Sequence, residues 1–252
     1  MTARFHQVNP VAKLAAVMLL SVCLILSLDC VSGTVALAFE AVLLPFAGIR
    51  AKQFWLRTLP VWVAAPLTGL TIVLYGEPAG AVYFEFWAIR ISDGSLELGL
   101  ATLLRVLAIG LPAVALFLTV DPTALADGLA QVWRLPSRFV LGALAALRLV
   151  GLFLDDWRSL EEARRARGVG DTGRIRRLPG QAFALLVLSI RRGSKLATAM
   201  EARGFGSDVE RTWARASRFG PQEWLLTVTG LVAGLTALAV AVATGEWNFI
   251  LG

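Results

Sequence analysis

Residues 139–168 read FVLGALAALRLVGLFLDDWRSLEEARRARG, and the character of this stretch changes abruptly halfway along. Residues 139–154 are apolar nearly all round except for Arg148, whereas the residues that follow are charged nearly all round. The sequence passes from one half to the other without a break. We therefore predict one helix over residues 139–167, about 43 Å long at 1.5 Å per residue. Its first half would be solvated by lipid or apolar protein, and its second half would project into the cytosol.

The same plan recurs 36 residues later, where the apolar run 181–190 passes into RRGSKLATAMEARG. Overlaid, the two copies end in A-x-x-A-R-G-x-G, at residues 163–170 and 199–206. Each apolar half is shorter than the roughly 20 residues that a membrane span needs. We therefore expect two long helices that are rooted at the membrane surface and direct their C-terminal ends at a target. This is an internal repeat of a functional element and not of a domain.

The repeated ending has the chemistry of a helix C terminus. Gly168 and Gly204 can adopt the left-handed conformation that terminates a helix. Arg167 and Arg203 lie in the last turn, where the helix dipole favours a cation by roughly 0.3–1 kcal/mol. Alanines one and four residues before each arginine leave a narrow face that fits a groove, and a guanidinium offers a planar bidentate donor. One such ending is an ordinary helix cap; two on matching helices indicate a function.

Composition places the chain in a membrane. Of its 252 residues, 57% are hydrophobic, against roughly 45–50% in soluble domains, and the mean hydropathy is +0.69. The net charge is +6, and 14 of the 24 Lys and Arg lie between residues 157 and 218. Such clustering suits a cytoplasmic face, an anionic lipid surface or an acidic partner. The polar N-terminal segment runs into a span with no small-residue cleavage site after it, so we expect no removed signal peptide.

Five stretches are candidate spans: residues 11–28, 31–49, 59–75, 98–120 and 224–244. Lys and Arg are retained on the cytoplasmic side of a membrane. Arg50, Lys52 and Arg57 follow the second span, whereas the connection after the first has no basic residue. This asymmetry places the N terminus and the basic region in the cytoplasm.

We thus predict an all-α membrane protein with about five transmembrane helices plus long cytoplasmic helices. Residues 1–120 would form a four-span region, residues 121–220 a cytoplasmic or membrane-surface region carrying both Ala-Arg-Gly motifs, and residues 221–252 a C-terminal transmembrane helix. Within the second region, Asp121 and Pro122 are typical of a helix start, and Leu135-Pro136 is typical of a stop.

The chain resembles the transmembrane T component of energy-coupling factor (ECF) transporters, of the CbiQ/BioN type. The resemblance is carried by FHQVNPVAKL at 5–14, by DPTALADGLAQVWRLPSRFVLGALAALRLV at 121–150 and by the two Ala-Arg-Gly endings. It spans nearly the whole chain, and the paired ending is its specific part. One departure is Asn9-Pro10, where Asp-Pro is expected; either side chain caps a helix equally well.

The resemblance implies that both endings terminate coupling helices that dock into grooves on two cytosolic ABC ATPases. The docking residues carried over are Ala166, Arg167, Gly168, Ala202, Arg203 and Gly204. It also implies a substrate-binding S component in the plasma membrane of a prokaryote, with the bilayer as a further partner. No nucleic-acid partner, cofactor, resident metal or catalytic residue is expected. ATP-driven motion of the ATPases would pass along the helices and reorient the S component, which would release a vitamin or metal ion.

Other features have weaker functional interpretations. Glu40, Arg105 and Arg148 cost about 2.5–3.5 kcal/mol if they face lipid; they could line a substrate path, but we expect them to pair or to snorkel. His6 is the only histidine and is expected at the surface. DDWR at 155–158 lacks a second acidic cluster, so it is predicted to be a solvated helix turn.

Three further patterns predict no chemistry. GSK at 193–195 is no phosphate-binding loop, and the spacing of Cys23 and Cys30 predicts neither a disulfide nor a zinc site. The aromatic segment 80–94 is expected to lie on the outer membrane surface, or to cover a partner. Two alternative functions stay open. One is a self-contained channel or secondary carrier, which would require polar, broken helices in repeated halves. The other is an integral membrane enzyme, which would require clustered acidic residues or histidines.

Overall fold

The computed structural model describes residues 8–76, 79–86, 89–168, 173–207 and 212–247. The chain divides into two compact units: residues 1–128 together with 217–252, and residues 129–216. The α-helices, in chain order, are α1 (Pro10–Ile25), α2 (Cys30–Leu43), α3 (Ala51–Tyr75), α4 (Asp93–Thr119), α5 (Pro122–Gln131), α6 (Ser137–Ala166), α7 (Arg174–Ala202) and α8 (Pro221–Thr244). A 3₁₀ helix, Leu44–Ala47, follows α2, and two strands precede α4: β1 (Val82–Phe86) and β2 (Ile89–Ser92).

The first unit is a helix bundle. Helix α8 packs against α1 and α2, α4 packs against α1 and α2, and α3 packs along α4. Small residues let these helices approach closely, as membrane helices require. A Cβ atom on Gly230 of α8 would lie 2.6 Å from the carbonyl oxygen of Ala16 in α1. The core between them contains Leu20, Leu24, Ala36, Ala108, Ala233 and Ala237.

The start of α1 is tied to the start of α8 through one side chain. Asn9 Oδ1 accepts a hydrogen bond from Val11 N at 3.0 Å, which confirms the predicted cap. Asn9 Nδ2 also donates to Ser217 Oγ at 2.7 Å and to the Arg218 carbonyl oxygen at 3.0 Å. An aspartate could make the same cap, but a carboxylate has no N–H with which to make these two further hydrogen bonds.

The apolar helices confirm the fold class, but they divide differently from the expected spans. Helices α1 and α2 have 16 and 14 residues, which makes them shorter than the predicted spans 11–28 and 31–49. Four helices in the described part of the chain are long and apolar enough to cross a membrane: α3, α4, α6 and α8. Three of these correspond to expected spans, and α6 is the long helix predicted over 139–167. Lys52 and Arg57, expected in a loop, lie in the first turns of α3.

Part of the aromatic segment 80–94 forms an antiparallel hairpin of β1 and β2. The hairpin leads directly into α4, which begins with a capping box: Ser95 N donates to Ser92 Oγ at 3.3 Å, and Ser92 N donates to Ser95 Oγ at 2.9 Å. The predicted helix start at residue 121 is confirmed as well, since Asp121 accepts hydrogen bonds from Thr123 N and Ala124 N, both at 3.3 Å.

Candidate functional site: two matched helix ends

Both Ala-Arg-Gly segments terminate long helices, as predicted. Helix α6 runs to Ala166 with Arg167 as its C-cap, and α7 runs to Ala202 with Arg203 as its C-cap. The glycines that follow have left-handed backbones, with φ of 71° at Gly168 and 75° at Gly204. A glycine adopts this conformation without the steric cost that a Cβ would bring. The sequence therefore predicted the local geometry of both ends correctly.

Backbone hydrogen bonds close each end. Gly168 N donates to the Arg165 carbonyl at 2.9 Å, and Gly204 N donates to the Glu201 carbonyl at 2.9 Å. At the second end, Phe205 N also donates to the Met200 carbonyl at 2.9 Å, which completes a Schellman motif. These bonds satisfy carbonyls of the last turn, so each helix has a hydrogen-bonded C-terminal cap.

The six predicted docking residues share one property: all are exposed. Among the described residues, neither the Arg167 nor the Arg203 guanidinium has a hydrogen bond or an ion pair. The neighbouring Arg165, by contrast, pairs with Glu161 at 2.6 Å on its own helix. Each end therefore presents an uncommitted bidentate donor to the surroundings.

Helices α6 and α7 run antiparallel, as contacts at three levels demonstrate. Arg164 Nη2 lies 3.5 Å from the position that a Cβ on Gly180 would occupy. Further along, Asp156 pairs with Arg192, and Arg138 Nη2 donates to the Gly206 carbonyl at 3.3 Å. Residue numbers fall on α6 as they rise on α7. The C-terminal ends of the two helices therefore point in opposite directions along the pair.

The antiparallel arrangement places the two ends on opposite sides of the central contact. Arg167 lies eleven residues after Asp156, and Arg203 lies eleven residues after Arg192. At about 1.5 Å per residue, each end is about 16 Å from that contact, and the two arginines are roughly 33 Å apart along the pair. Sequence reasoning assigned Asp156 no partner, although a signal was present: Asp156 and Arg192 are 36 residues apart, the same offset that relates the two motifs.

Both helices also expose large apolar side chains. On α6, Phe139 is 70% exposed, and on α7, Phe183 is 68% exposed. The other exposed large apolar residues of the two helices are Leu147, Val150, Leu152, Leu154, Leu178, Leu186, Val187 and Ile190. Exposed apolar side chains in this number are typical of a surface that contacts protein or membrane.

The three remaining ionisable candidates, Glu40, Arg105 and Arg148, have two kinds of surroundings. Glu40 is 5% exposed, and neither of its oxygens has a hydrogen-bond partner among the described residues, so the expected pairing is not found. It faces a cavity of about 180 Å³ in the bundle together with Lys13, whose Nζ donates to the Thr119 carbonyl at 3.2 Å. Arg105 Nη2 is likewise buried without a partner in the described part of the chain, whereas Arg148 is exposed.

The DDWR turn is split between two surroundings. Asp155 lies 3.7 Å from Arg158 on a highly exposed face of α6, as expected of a solvated turn, but Asp156 faces α7. Cys23 and Cys30 are free thiols. The described residues contain no group of three or more His, Cys, Asp or Glu side chains that could hold a metal ion. His6 lies outside the described residues.

The fold and the paired ends define a class: a multi-pass membrane protein that carries two matched, exposed helix ends. Comparison with known proteins identifies the family. Residues 2–213 match the cobalt transport protein family, CbiQ. The chain is 28% identical over 223 residues, 82% of each chain, to the energy-coupling factor transporter transmembrane protein EcfT of Limosilactobacillus fermentum. It is 26% identical over 242 residues to the EcfT protein of Streptococcus equi, covering 91% of this chain and 90% of that one.

A shorter match to the EcfT protein of Exiguobacterium sibiricum is 30% identical over 173 residues, 64% of each chain. Because the family match covers most of the chain, this protein belongs to the family of T components of ECF transporters.

Proposed function

We propose that this chain is the energy-coupling subunit of an ECF-type importer and links two cytosolic ABC ATPases to a substrate-binding S component in the membrane. One observation carries the proposal: two identical exposed helix ends, each with an uncommitted guanidinium, lie at opposite ends of one antiparallel helix pair. The first docking end comprises Ala166, Arg167 and Gly168; the second comprises Ala202, Arg203 and Gly204.

The separation of the ends supports two partner subunits rather than one. Roughly 33 Å along the helix pair is wider than a single groove that receives one helix end of about 10–12 Å diameter. Each closed C terminus has exposed alanines, which let the backbone approach a groove wall, and an arginine that can pair with a carboxylate there. Two ATPase subunits, each receiving one end, satisfy this geometry.

The helix pair belongs at the cytoplasmic membrane surface rather than across the bilayer. The apolar half of α6 runs beside the second half of α7, as the Asp156–Arg192 and Arg138–Gly206 contacts require. That half of α7 carries Lys195 and Arg203. If α6 crossed the membrane, these residues would enter hydrocarbon at about 2.5–3.5 kcal/mol for each cation. With the pair at the surface, the positive-inside rule places the N terminus in the cytoplasm as well.

The exposed apolar side chains of α6 and α7 are a suitable contact surface for the S component. Phe139 and Phe183 are exposed to a degree that water disfavours but an apolar partner satisfies. In this arrangement one helix pair contacts ATPases at its ends and the S component along its apolar face. Motion of the two ATPases during ATP binding and hydrolysis then displaces the ends, and the rigid helices transmit that displacement to the S component. The substrate is the vitamin or metal ion that the S component binds.

Charge reversal at the ends tests this function. We expect Arg167→Glu and Arg203→Glu each to weaken copurification with the ATPase subunits by at least about tenfold, since the loss of a charge-assisted pair and the introduction of repulsion exceed 1.4 kcal/mol. Membrane insertion and yield should not change. Arg158→Glu is the matched control, because it makes the same charge change at a highly exposed position of α6 away from both ends.

Normal ATPase association in both single variants and in the double variant would contradict the proposal. Reconstitution of the chain alone provides a second test: solute uptake or turnover without ATPases would favour a channel, a carrier or a membrane enzyme instead.

A further inference from the structure

The contact between Asp156 and Arg192, here called the central ion pair, joins α6 to α7 with defined geometry. Arg192 Nη2 donates to Asp156 Oδ1 at 3.1 Å, and Arg192 Nη1 lies 2.8 Å from Asp156 Oδ2. Only 20% of the Asp156 side chain and 39% of the Arg192 side chain are exposed. The first contact is a hydrogen bond, whereas the second is a close ionic contact without hydrogen-bond geometry. A charge-assisted hydrogen bond of this kind restrains the relative direction of the two side chains as well as their distance.

The two residues also occupy equivalent positions in the repeat. Asp156 and Arg192 are 36 residues apart, and so are Arg167 and Arg203. When equivalent residues of two antiparallel copies touch each other, a local two-fold axis passes through the contact. The two segments that follow it, residues 157–167 and 193–203, are therefore two arms of equal length related by that axis.

The other contacts between the helices agree with this axis. Gly180 on α7 is equivalent to position 144 of the first copy, and Gly206 is equivalent to position 170. In the numbering of the first copy, Arg164 therefore contacts position 144 and Arg138 contacts position 170. The midpoint of both contacts is position 154. Both midpoints lie within two residues of Asp156. The antiparallel register is thus the same along the described length of the pair.

We propose that the central ion pair positions both docking ends for a two-fold-symmetric partner, the ATPase dimer, by holding two equal arms in fixed register about one axis. The proposal rests on the proposed function and adds that both ends must dock at once. Asp156 and Arg192 are positioning residues, since neither contacts the ATPases itself.

An ion pair suits this role better than an apolar contact. Apolar burial is non-directional, whereas a hydrogen-bonded ion pair requires a narrow range of distances and angles and is lost when either helix shifts by a fraction of a turn. A buried polar residue specifies register in some coiled coils. Loss of register would change the spacing of the ends, so that docking of the first end would no longer bring the second end to its groove.

Affinity for the ATPase dimer, measured with the full chain in lipid nanodiscs, tests the proposal. We expect Asp156→Arg and Arg192→Asp each to weaken binding by about tenfold, because simultaneous docking is lost while each end stays intact. The exchange variant, Asp156→Arg with Arg192→Asp, should recover binding to within about threefold of the parent. Asp155→Arg is the matched control: it is the adjacent residue with the same charge change, but it faces solvent and Arg158 of its own helix.

A one-ended background separates positioning from general damage. In the Arg203→Glu background only the first end docks, so adding Asp156→Arg should weaken binding by less than about twofold. A full further tenfold loss in that background would overturn the proposal, as would an exchange variant that recovers nothing.

Spin labels report the register without reference to ATPase binding. Labels at the equivalent exposed positions, introduced by Arg165→Cys and Glu201→Cys after replacement of Cys23 and Cys30, should lie about 30 Å apart. We expect a narrow distance distribution in the parent and the exchange variant, and a broad one in each single variant. Narrow distributions with normal binding in both single variants would overturn the central ion pair's role. The docking role of the ends would be unaffected, since Arg167→Glu tests it separately.

Discussion

The bundle formed by α1–α4 and α8 and the pair formed by α6 and α7 use apolar residues in opposite ways. In the most apolar window of α4, 28% of residues are buried within the protein, against 6% in that of α6. Both windows are apolar enough for a membrane. The bundle uses close helix contacts to bury its apolar residues, whereas the pair leaves large apolar side chains and both helix ends exposed. The comparison teaches that hydropathy alone does not distinguish a structural helix from an interaction helix.

Glycine substitutions provide the largest test of this difference. Gly230→Ala in α8 places a methyl group 2.6 Å from the Ala16 carbonyl, and we expect it to destabilise the bundle by about 2–3 kcal/mol, because the two helices must separate. Gly142→Ala in α6 has no atom within 4 Å of the new methyl group and should stabilise its helix by about 0.5–1 kcal/mol. Thermal unfolding in one detergent measures both; equal effects would remove the distinction between the two regions.

Asn9 provides the next test, because the side-chain amide of Asn9 makes hydrogen bonds within the bundle that no sequence motif predicts. Asn9→Asp should keep the cap on Val11 N but lose both donations, to Ser217 Oγ and to the Arg218 carbonyl. It also brings a carboxylate against that carbonyl. We expect a loss of about 1–3 kcal/mol. Asn9→Ser, which also caps but does not reach as far, separates the two contributions. An Asn9→Asp variant with unchanged thermal stability would show that capping alone matters.

Substitution of Glu40 has the smallest expected effect, and it should stabilise the bundle instead of destabilising it. Its buried carboxylate has no hydrogen-bond partner among the described residues and faces a largely apolar cavity. Glu40→Met keeps a similar volume and removes the desolvation cost, so we expect stabilisation of about 1 kcal/mol. Glu162→Met, at an exposed position of α6, is the control and should change stability little. A clear loss of stability on Glu40→Met would mean that the carboxylate is partnered in the assembled membrane protein.

The local structure of the site was predictable from the sequence. Gly168 and Gly204 end their helices because a backbone without a Cβ adopts the left-handed conformation readily. The continuity of α6 over its apolar and charged halves was predictable as well, because helix propensity and capping depend on neighbours within about four residues. The hairpin within 80–94 was missed, because aromatic residues fit a strand as readily as a membrane interface.

The sequence by itself determined the membrane environment, both helix ends and the 36-residue repeat, because apolar content and capping act through the composition and order of nearby residues. Only the tertiary structure decided that the helices run antiparallel, that Asp156 meets Arg192 and that Asn9 donates to the segment before α8. These contacts join residues 36 or more positions apart, and which side chains meet over such separations depends on how whole helices pack. The distance between the two helix ends is therefore a property of the folded pair and not of either motif.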